Sequence, residues 1–233
     1  MKKQTLLIIS AHADDHISCA GAVMKLHTEN GYGAYEIVLT DSSQGQNFAG
    51  DVELSVTEVA KVRSKELSRA SKFLGIVKSF QMNLPDLGLA YSDAIMYEVV
   101  RVIREVRPSV VFLHNSYDAH PDHLAAHEIG LHALKISAMG VRKETLGKSW
   151  RVPKVLCMEG MLPVESQILV DVTAYAKRKA KLFAIYTSQA SSQAQDFVES
   201  LSRVRGYHLR KVGATHAEAF TVQNQFPILY FDE

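Results

Sequence analysis

Leu6-Leu7-Ile8-Ile9-Ser10-Ala11-His12-Ala13-Asp14-Asp15 is a short apolar run that ends directly in a histidine and two adjacent carboxylates. Apolar runs of this length are typical of buried strands. Burying three titratable groups at one point costs free energy unless something there uses them. A divalent cation would use them, because imidazole and carboxylate are ordinary zinc ligands and a hydrolytic zinc site has three protein ligands and one open position. The stretch therefore predicts a strand that delivers two metal ligands, His12 and Asp15.

A second stretch of the same kind is the expected source of the third ligand. Val110–Leu113 is apolar, and Asn115-Ser116-Tyr117-Asp118-Ala119-His120-Pro121-Asp122-His123 follows it closely. If the two apolar runs are neighbouring strands of a parallel sheet, both polar loops lie at the same edge of that sheet. The two loops then contribute to one site.

The composition is that of an ordinary globular protein. Of 233 residues, 47% are hydrophobic and 22% are charged, with a formal net charge of +1, so we expect one domain over residues 1–233. The near-neutral charge gives no reason to expect nucleic acid or an anionic membrane as a partner, and no segment reaches the length of a membrane span. Cys19 and Cys157 lie far apart and are expected to be reduced, which favours a cytoplasmic protein. Homo-oligomerisation stays open.

Strand-like and helix-like segments alternate along the chain. The expected strands are Leu6–Ser10, Tyr35–Thr40, Phe80–Asn83, Val110–Leu113, Lys154–Met158 and Gln167–Asp171. The expected helices are Ile17–Glu29, the segment from a capping box at Ser55 to Leu74, Ile95–Val106, Asp122–Ser137, Thr173–Ile185 and Asp196–Val204. This alternation predicts an α/β fold, a three-layer α/β/α sandwich around a Rossmann-like, mainly parallel sheet. With the common strand order 3-2-1-4-5, the two polar loops follow adjacent strands where the order reverses, which is where such sheets bind ligands.

The two loops also carry a resemblance to a known family. His12-Ala13-Asp14-Asp15, together with His120-Pro121-Asp122-His123, resembles the LmbE-like (PIG-L) family of zinc-dependent de-N-acetylases. Weaker similarities are Leu39-Thr40 before a glycine-bearing loop, the spacing of Arg63, Glu66, Ala70 and Leu74-Gly75, the pair Ser188-Gln189, and Ala217-Glu218-Ala219-Phe220. The chain departs from the family pattern at Ala13, where the family usually has proline, and at His16, where it often has glutamate or alanine.

The resemblance implies one Zn²⁺ ion, with another divalent metal left open, and an acid–base pair beside it. The implied metal ligands are His12, Asp15 and His123. The implied general base is Asp14, because a carboxylate beside a metal-activated water can take its proton. The implied acid and its orienting partner are His120 and Asp122. The alternatives are that Asp14, Asp15 or Asp122 only caps a helix, and that His127 replaces His123 as the third ligand.

The expected substrate contacts are Arg63, Tyr117 and His16, although an arginine on a helix is often merely solvated. His114 is expected next to the metal ligands. The pocket walls are expected to come from residues 41–54, 86–91 and 186–193.

The resemblance implies a metal-dependent hydrolase that removes an N-acetyl group from an N-acetylated amino sugar or glycoconjugate. A second hypothesis is a zinc amidase that acts on a sugar-thiol conjugate or an antibiotic precursor, because substrate pockets are built from variable loops. A third is a non-catalytic carbohydrate-binding protein that retains the fold. The presence of Asp14 argues against the third hypothesis, since loss of the general base would be the simplest sign of an inactive enzyme.

Overall fold

The computed structural model describes residues 4–45 and 54–223, and strands and helices alternate there as the sequence predicts. The strands are β1 (Thr5–Ser10), β2 (Gly33–Thr40), β3 (Ile76–Leu84), β4 (Val110–His114), β5 (Lys154–Met158), β6 (Ile168–Asp171) and β7 (Ala217–Val222). The helices are α1 (Ala20–Asn30), α2 (Val56–Leu74), α3 (Asp93–Val106), α4 (Pro121–Ser137), α5 (Lys143–Leu146), α6 (Ala176–Phe183) and α7 (Ser192–His208).

All seven of these strands form one sheet, in the order β3-β2-β1-β4-β5-β7-β6. The first five strands are parallel to one another, so the predicted order 3-2-1-4-5 is confirmed. Strand β7 was not predicted, and it runs antiparallel between β5 and β6. The sheet is therefore mainly parallel, with an antiparallel extension at one side.

The two faces of the sheet are covered by different helices. Along β1, Leu6 and Ile8 pack into a core with helices α1, α2 and α6. Their neighbours Leu7 and Ile9 pack into a second core with α3 and α4. Because side chains alternate between the faces of a strand, a continuous apolar run such as β1 serves both cores. The three-layer α/β/α arrangement is thus confirmed.

The helix boundaries follow local sequence signals. Helix α2 begins with the capping box of Ser55 and Glu58, and helices α1 and α2 end at Gly31 and Gly75, which adopt left-handed backbone angles of 69° and 87° in φ. The start of the first helix differs from the prediction, because Asp15–Cys19 forms a 3₁₀ turn before α1 begins. In the part of the chain that is described, no helix is both long and apolar enough to cross a membrane.

The sheet order brings the two polar loops together. Strands β1 and β4 are paired with Ile9 opposite Leu113, so the residues that follow them leave the sheet side by side. Helix α4 begins within the second loop at Pro121, a residue type that suits the first turn of a helix because it has no N–H to leave unpaired. The site is therefore built on two neighbouring parallel strands and one helix N-terminus.

Candidate active site

Three side chains from the two loops converge on one point. Nδ1 of His12 lies 3.3 Å from Nε2 of His123, and the carboxylate of Asp15 lies 3.6 Å from the former and 3.2 Å from the latter nitrogen. Neighbouring ligands of a tetrahedral zinc ion with bonds of about 2.0–2.1 Å are separated by distances of this size. The structure thus brings together the three residues expected as metal ligands.

The turn after β1 fixes the orientation of Asp15. Its Oδ2 accepts the main-chain N–H of His12 at 2.6 Å, and Nε2 of His114 lies 3.0 Å from the same oxygen. The structure therefore places His114 next to a ligand candidate, as expected. His127 instead uses Nδ1 to contact the carbonyl of His114 at 2.8 Å, so it supports the loop rather than replacing His123.

Further carboxylates contact the two imidazole rings at the nitrogens that face away from the cluster. Oδ2 of Asp118 lies 3.0 Å from Nδ1 of His123. Oδ1 of Asp86 lies 3.0 Å from Nε2 of His12, and Oδ2 of Asp122 lies 3.3 Å from the same nitrogen. Each ring therefore presents one nitrogen to the cluster and the other to a carboxylate, which is the arrangement that orients histidine ligands in metal sites.

The charges around the cluster favour a cation at its centre. Burial alone would lower the pKa of His12, but the carboxylates of Asp15 and Asp86 raise it to about 11. Burial likewise opposes protonation of His123, yet Asp15 and Asp118 raise its pKa to about 10. Without a metal, the buried carboxylates would hold two protonated rings in contact with each other. The donor set fits a divalent ion, which would supply the same charge from one position between the rings.

Asp14 lies beside the cluster and is held by an arginine. Its Oδ1 accepts a hydrogen bond from Nη2 of Arg63, and its side chain retains 23% exposure. The turn that follows begins at Asp14 without a side-chain cap bond, so the alternative that Asp14 caps this turn finds no support in the geometry. Asp14 is thus oriented and open to the cavity.

His120 and Asp122 are arranged differently from the expected orienting pair. His120 is the N-cap of α4, and its Nδ1 accepts the main-chain N–H of Asp122 at 3.2 Å. The Asp122 carboxylate contacts His12 and accepts the N–H groups of Leu87 and Leu89. Asp122 lies in the first turn of α4, and its side chain points towards the loop that contains Leu87 and Leu89. It orients a ligand candidate, not the ring of His120.

Burial lowers the pKa of His120, and the nearby His12 and His123 lower it further. Its ring is therefore neutral at neutral pH. Since Nδ1 accepts a hydrogen bond, Nε2 carries the proton. The ring centroid lies 4.6 Å from that of His12, so His120 presents a neutral N–H donor next to the cluster, where a protonated ring had been expected.

Two of the three expected substrate contacts lie elsewhere. His16 is 1% exposed; its Nδ1 lies 2.9 Å from Glu36 and its Nε2 3.1 Å from the hydroxyl of Tyr186, because the 3₁₀ turn points its side chain into the core. Tyr117 is 62% exposed and does not line the cavity. Arg63 does line it, and among the described residues its Nε and Nη1 have no hydrogen-bond partner.

The cluster lies in a cavity of about 560 Å³, within the range of small-molecule sites. Each expected wall segment contributes to it, through Gln44 and Gly45, Asp86 and Leu87, and Gln189 and Gln193. Residues 46–53 of the first segment lie outside the described residues. The walls also include residues that were not expected, from the end of β5, from α6 and from α7.

Asp86 and Asp118 take positions in the site that were not predicted. Asp86 follows Pro85 in an irregular stretch that was expected only as a wall, and Asp118 was one of several polar residues in the second loop. An available signal was that each aspartate lies in a loop that follows a strand of the predicted sheet. Carboxylates in such loops are placed to reach the same edge as the ligands.

Comparison with known proteins agrees with the site geometry. A family model described as "PIG-L: GlcNAc-PI de-N-acetylase" matches residues 7–134, which is more than half of the chain. The chain therefore belongs to the PIG-L family. The matched region contains most of β1, all of β2 to β4 and most of α4, and thus all three ligand candidates.

The curated relatives of the chain include deacetylases. Diacetylchitobiose deacetylase from Thermococcus kodakarensis is 32% identical over 137 residues, which are 58% of this chain and 50% of that protein. The chain thus spans about half the length of this curated relative.

Solved structures resemble the whole chain. N,N'-diacetylchitobiose deacetylase from Pyrococcus horikoshii superposes with a TM-score of 0.83 at 22% identity, over 99% of this chain and 88% of that one. The 4-carboxy-2-hydroxymuconate hydratase of Pseudomonas putida KT2440 superposes with a TM-score of 0.86 at 22% identity, over 99% of both chains. At this identity the superpositions establish the fold, which is shared by a deacetylase and a hydratase.

Proposed function

We propose that this protein is a zinc-dependent hydrolase that removes the acetyl group from an N-acetylated amino sugar. The observation that carries the proposal is the convergence of His12, Asp15 and His123 within 3.6 Å of one another, beside Asp14 in a cavity of ligand size. A zinc ion held by these three residues would polarise an amide carbonyl and lower the pKa of a water molecule towards about 7.

Asp14 carries out the proton transfers, while Arg63 and His120 stabilise charged groups. Asp14 accepts a proton from the attacking water and passes it to the departing nitrogen, and Arg63 holds the carboxylate in place for both steps. His120 donates a hydrogen bond from Nε2 to the oxygen on which negative charge develops. The amide C–N bond breaks, and the products are acetate and a free amine.

The proposal is tested by product analysis on the zinc-loaded protein. N,N'-diacetylchitobiose and N-acetylglucosamine derivatives are the first substrates to assay, with acetate and primary amine measured together. We expect the two products in a 1:1 ratio and loss of turnover on chelation. Turnover without acetate, for example water addition to an unsaturated carboxylic acid, would contradict deacetylation.

The role of Asp14 is tested with Asp14→Asn, which keeps the size of the side chain and removes the proton acceptor. We expect the variant to keep its zinc and to lose about 10²–10⁴-fold in kcat, the usual contribution of a general base. Metal content and rate are measured on the same sample. Equal loss of both would make Asp14 a ligand or a structural residue instead.

A further inference from the structure

A chain of buried polar side chains lies behind the turn that carries Asp14, and the proposed reaction uses none of them. We call it the buried chain; its members are Ser71, Glu36, His16 and Tyr186. The hydroxyl of Ser71 donates a hydrogen bond to one oxygen of Glu36, and the other oxygen lies 2.9 Å from Nδ1 of His16. Nε2 of His16 lies 3.1 Å from the hydroxyl of Tyr186. The buried chain thus runs from helix α2 across strand β2 to the segment after α6.

Polar groups buried in this way are a poor source of stability. Glu36 and His16 are each 1% exposed, and Tyr186 is 0% exposed. Burial alone would raise the pKa of Glu36, yet its contacts with His16 and Ser71 lower it, so the core holds a charged carboxylate. The cost of removing such a charge from water can exceed the attraction to its partners, whereas a fully bonded buried network fixes the arrangement of the groups that it contacts. The buried chain is therefore explained by what it holds in place.

The buried chain ends on the peptide bond that precedes Asp14. The hydroxyl of Tyr186 donates to the carbonyl of Ala13 at 2.5 Å, and the N–H of Ala13 donates to Oγ of Ser42 at 3.0 Å. The guanidinium carbon of Arg63 lies 5.8 Å from the centroid of the Tyr186 ring, and this arginine donates a hydrogen bond to Asp14. Tyr186 therefore contacts both the main chain next to Asp14 and the arginine that holds its carboxylate.

We propose that Tyr186, His16 and Glu36 are positioning residues for Asp14, which fix the direction of its carboxylate relative to the metal ligands. The inference rests on the proposed role of Asp14 as the general base. Alanine at position 13 leaves the φ angle free, where the proline that is usual in the family would restrict it to about −65°. The hydrogen bonds on both sides of Ala13 supply that restraint instead, and one of them requires the N–H that proline lacks. Positions 13 and 16, where the chain departs from the family pattern, thus belong to one structural unit.

Tyr186→Phe tests the inference, because it removes only the hydroxyl and keeps the aromatic ring. We expect kcat for acetate release to fall about 10–100-fold with KM and zinc content unchanged, since a misplacement of about 1 Å can cost about 10²-fold in rate. The matched control is Ser137→Ala, which removes a buried hydroxyl that donates to two main-chain carbonyls at the opposite end of α4. It should lower stability in the same way without changing kcat. An unchanged kcat in Tyr186→Phe, or an equal fall in the control, would overturn the inference.

Combination with Asp14→Asn separates positioning from general support of the fold. A residue that acts only through the Asp14 carboxylate has nothing to position once that carboxylate is replaced, and the effects of residues that act as a unit do not add. Tyr186→Phe should therefore change the residual rate of the Asp14→Asn variant by less than about twofold. The same loss in both backgrounds would place the effect elsewhere in the site and overturn the assignment.

His16→Ala and His16→Gln test the inner part of the buried chain. His16→Ala should lower kcat about three- to tenfold, because the Tyr186 hydroxyl loses one of its two partners, and His16→Gln should recover part of that loss because its amide still offers a hydrogen bond. The double variant with Tyr186→Phe should lose no more than Tyr186→Phe alone, since His16 acts through the Tyr186 hydroxyl. Fully additive losses would mean two separate effects and overturn the chain. Tyr186→Phe decides the question even where His16→Ala does not fold, because it leaves the contact between His16 and Glu36 in place.

Hydrogen exchange in the metal-free protein separates the inference from the function on which it rests. In Tyr186→Phe, the amides of residues 12–15 should exchange at least about fivefold faster than in the unchanged protein, because the Ala13 carbonyl loses its donor. Exchange in strand β4 should stay the same. Faster exchange of the turn in a protein that releases no acetate would support the restraint of the turn and contradict the deacetylase. Unchanged exchange of residues 12–15 would overturn the inference, whatever the reaction.

Discussion

Zinc binding should release about two protons from the protein itself at pH 8. The pKa values of His12 and His123 in the metal-free protein are about 11 and about 10, so both rings are protonated at pH 8. A ligand nitrogen must lose its proton before it binds a metal. Two unshifted imidazoles with a pKa of 6.5 would together release less than about 0.1 proton at this pH.

The two raised pKa values also fix the sign of the pH dependence of zinc binding. Raised pKa values mean that protons compete with the ion, so the affinity falls as the pH falls. Between about pH 6 and pH 9, where both rings stay protonated in the free protein, the loss of their two protons should by itself raise the association constant by about two decades per pH unit. A water molecule that the ion acidifies, with a pKa near 7, adds up to one further proton at pH 8.

Calorimetry in buffers with different heats of ionisation measures the number of protons released. We expect between two and three at pH 8. The matched control is His216→Ala, which removes a histidine that lies 2.9 Å from Glu199, outside the candidate site, and should leave the number unchanged. Release of one proton or fewer would refute the reasoning, because it would mean that the surrounding carboxylates do not hold the two rings charged.

Three further predictions concern the support of the site. A Cβ at Gly160 would overlap Oδ2 of Asp118, so Gly160→Ala should displace that carboxylate from His123 and weaken zinc binding about 10–100-fold, measured by competition with a chelator. Tyr186→Phe removes the hydroxyl that donates to the buried carbonyl of Ala13 and should lower the free energy of unfolding by about 1–3 kcal/mol, measured by denaturant titration. The metal-free protein should lose stability as the pH rises from about 6.5 towards 10–11. The reason is that the stabilisation from the raised pKa values of His12 and His123 is complete below the unfolded-state pKa and disappears above the folded-state values. Thermal unfolding in the presence of a chelator at pH 7 and pH 9.5 checks this.

The parallel part of the fold was predictable because its signals are local. Apolar runs gave β1 to β5, and Gly31 and Gly75 gave the helix ends. Strand β7 was not predicted because its stabilisation is not local. Its residue Glu218 accepts the N–H groups of Gly21 and Ala22 at the start of α1 and forms an ion pair with Lys179. A buried charge near the start of a short strand obscures the apolar pattern on which strand prediction depends.

The candidate site was predictable where its residues lie close together in the sequence. His12 and Asp15 are three residues apart in one turn, so their convergence follows from sequence spacing. Which carboxylate faces which ring nitrogen depends on side-chain direction across loops, and spacing does not encode this. For the same reason, the sequence did not predict that His16 faces the core or that Asp122 faces His12.

The division of the cavity along the chain has an evolutionary consequence. The three ligand candidates and Asp14 all precede residue 124, whereas part of the cavity lining, including Met158, Phe183 and Phe197, lies beyond it. The candidate metal ligands thus lie in one stretch of polypeptide, and part of the cavity lining lies in another. Recombination downstream of α4 would exchange that part of the lining in a single event, while the candidate metal ligands are inherited intact.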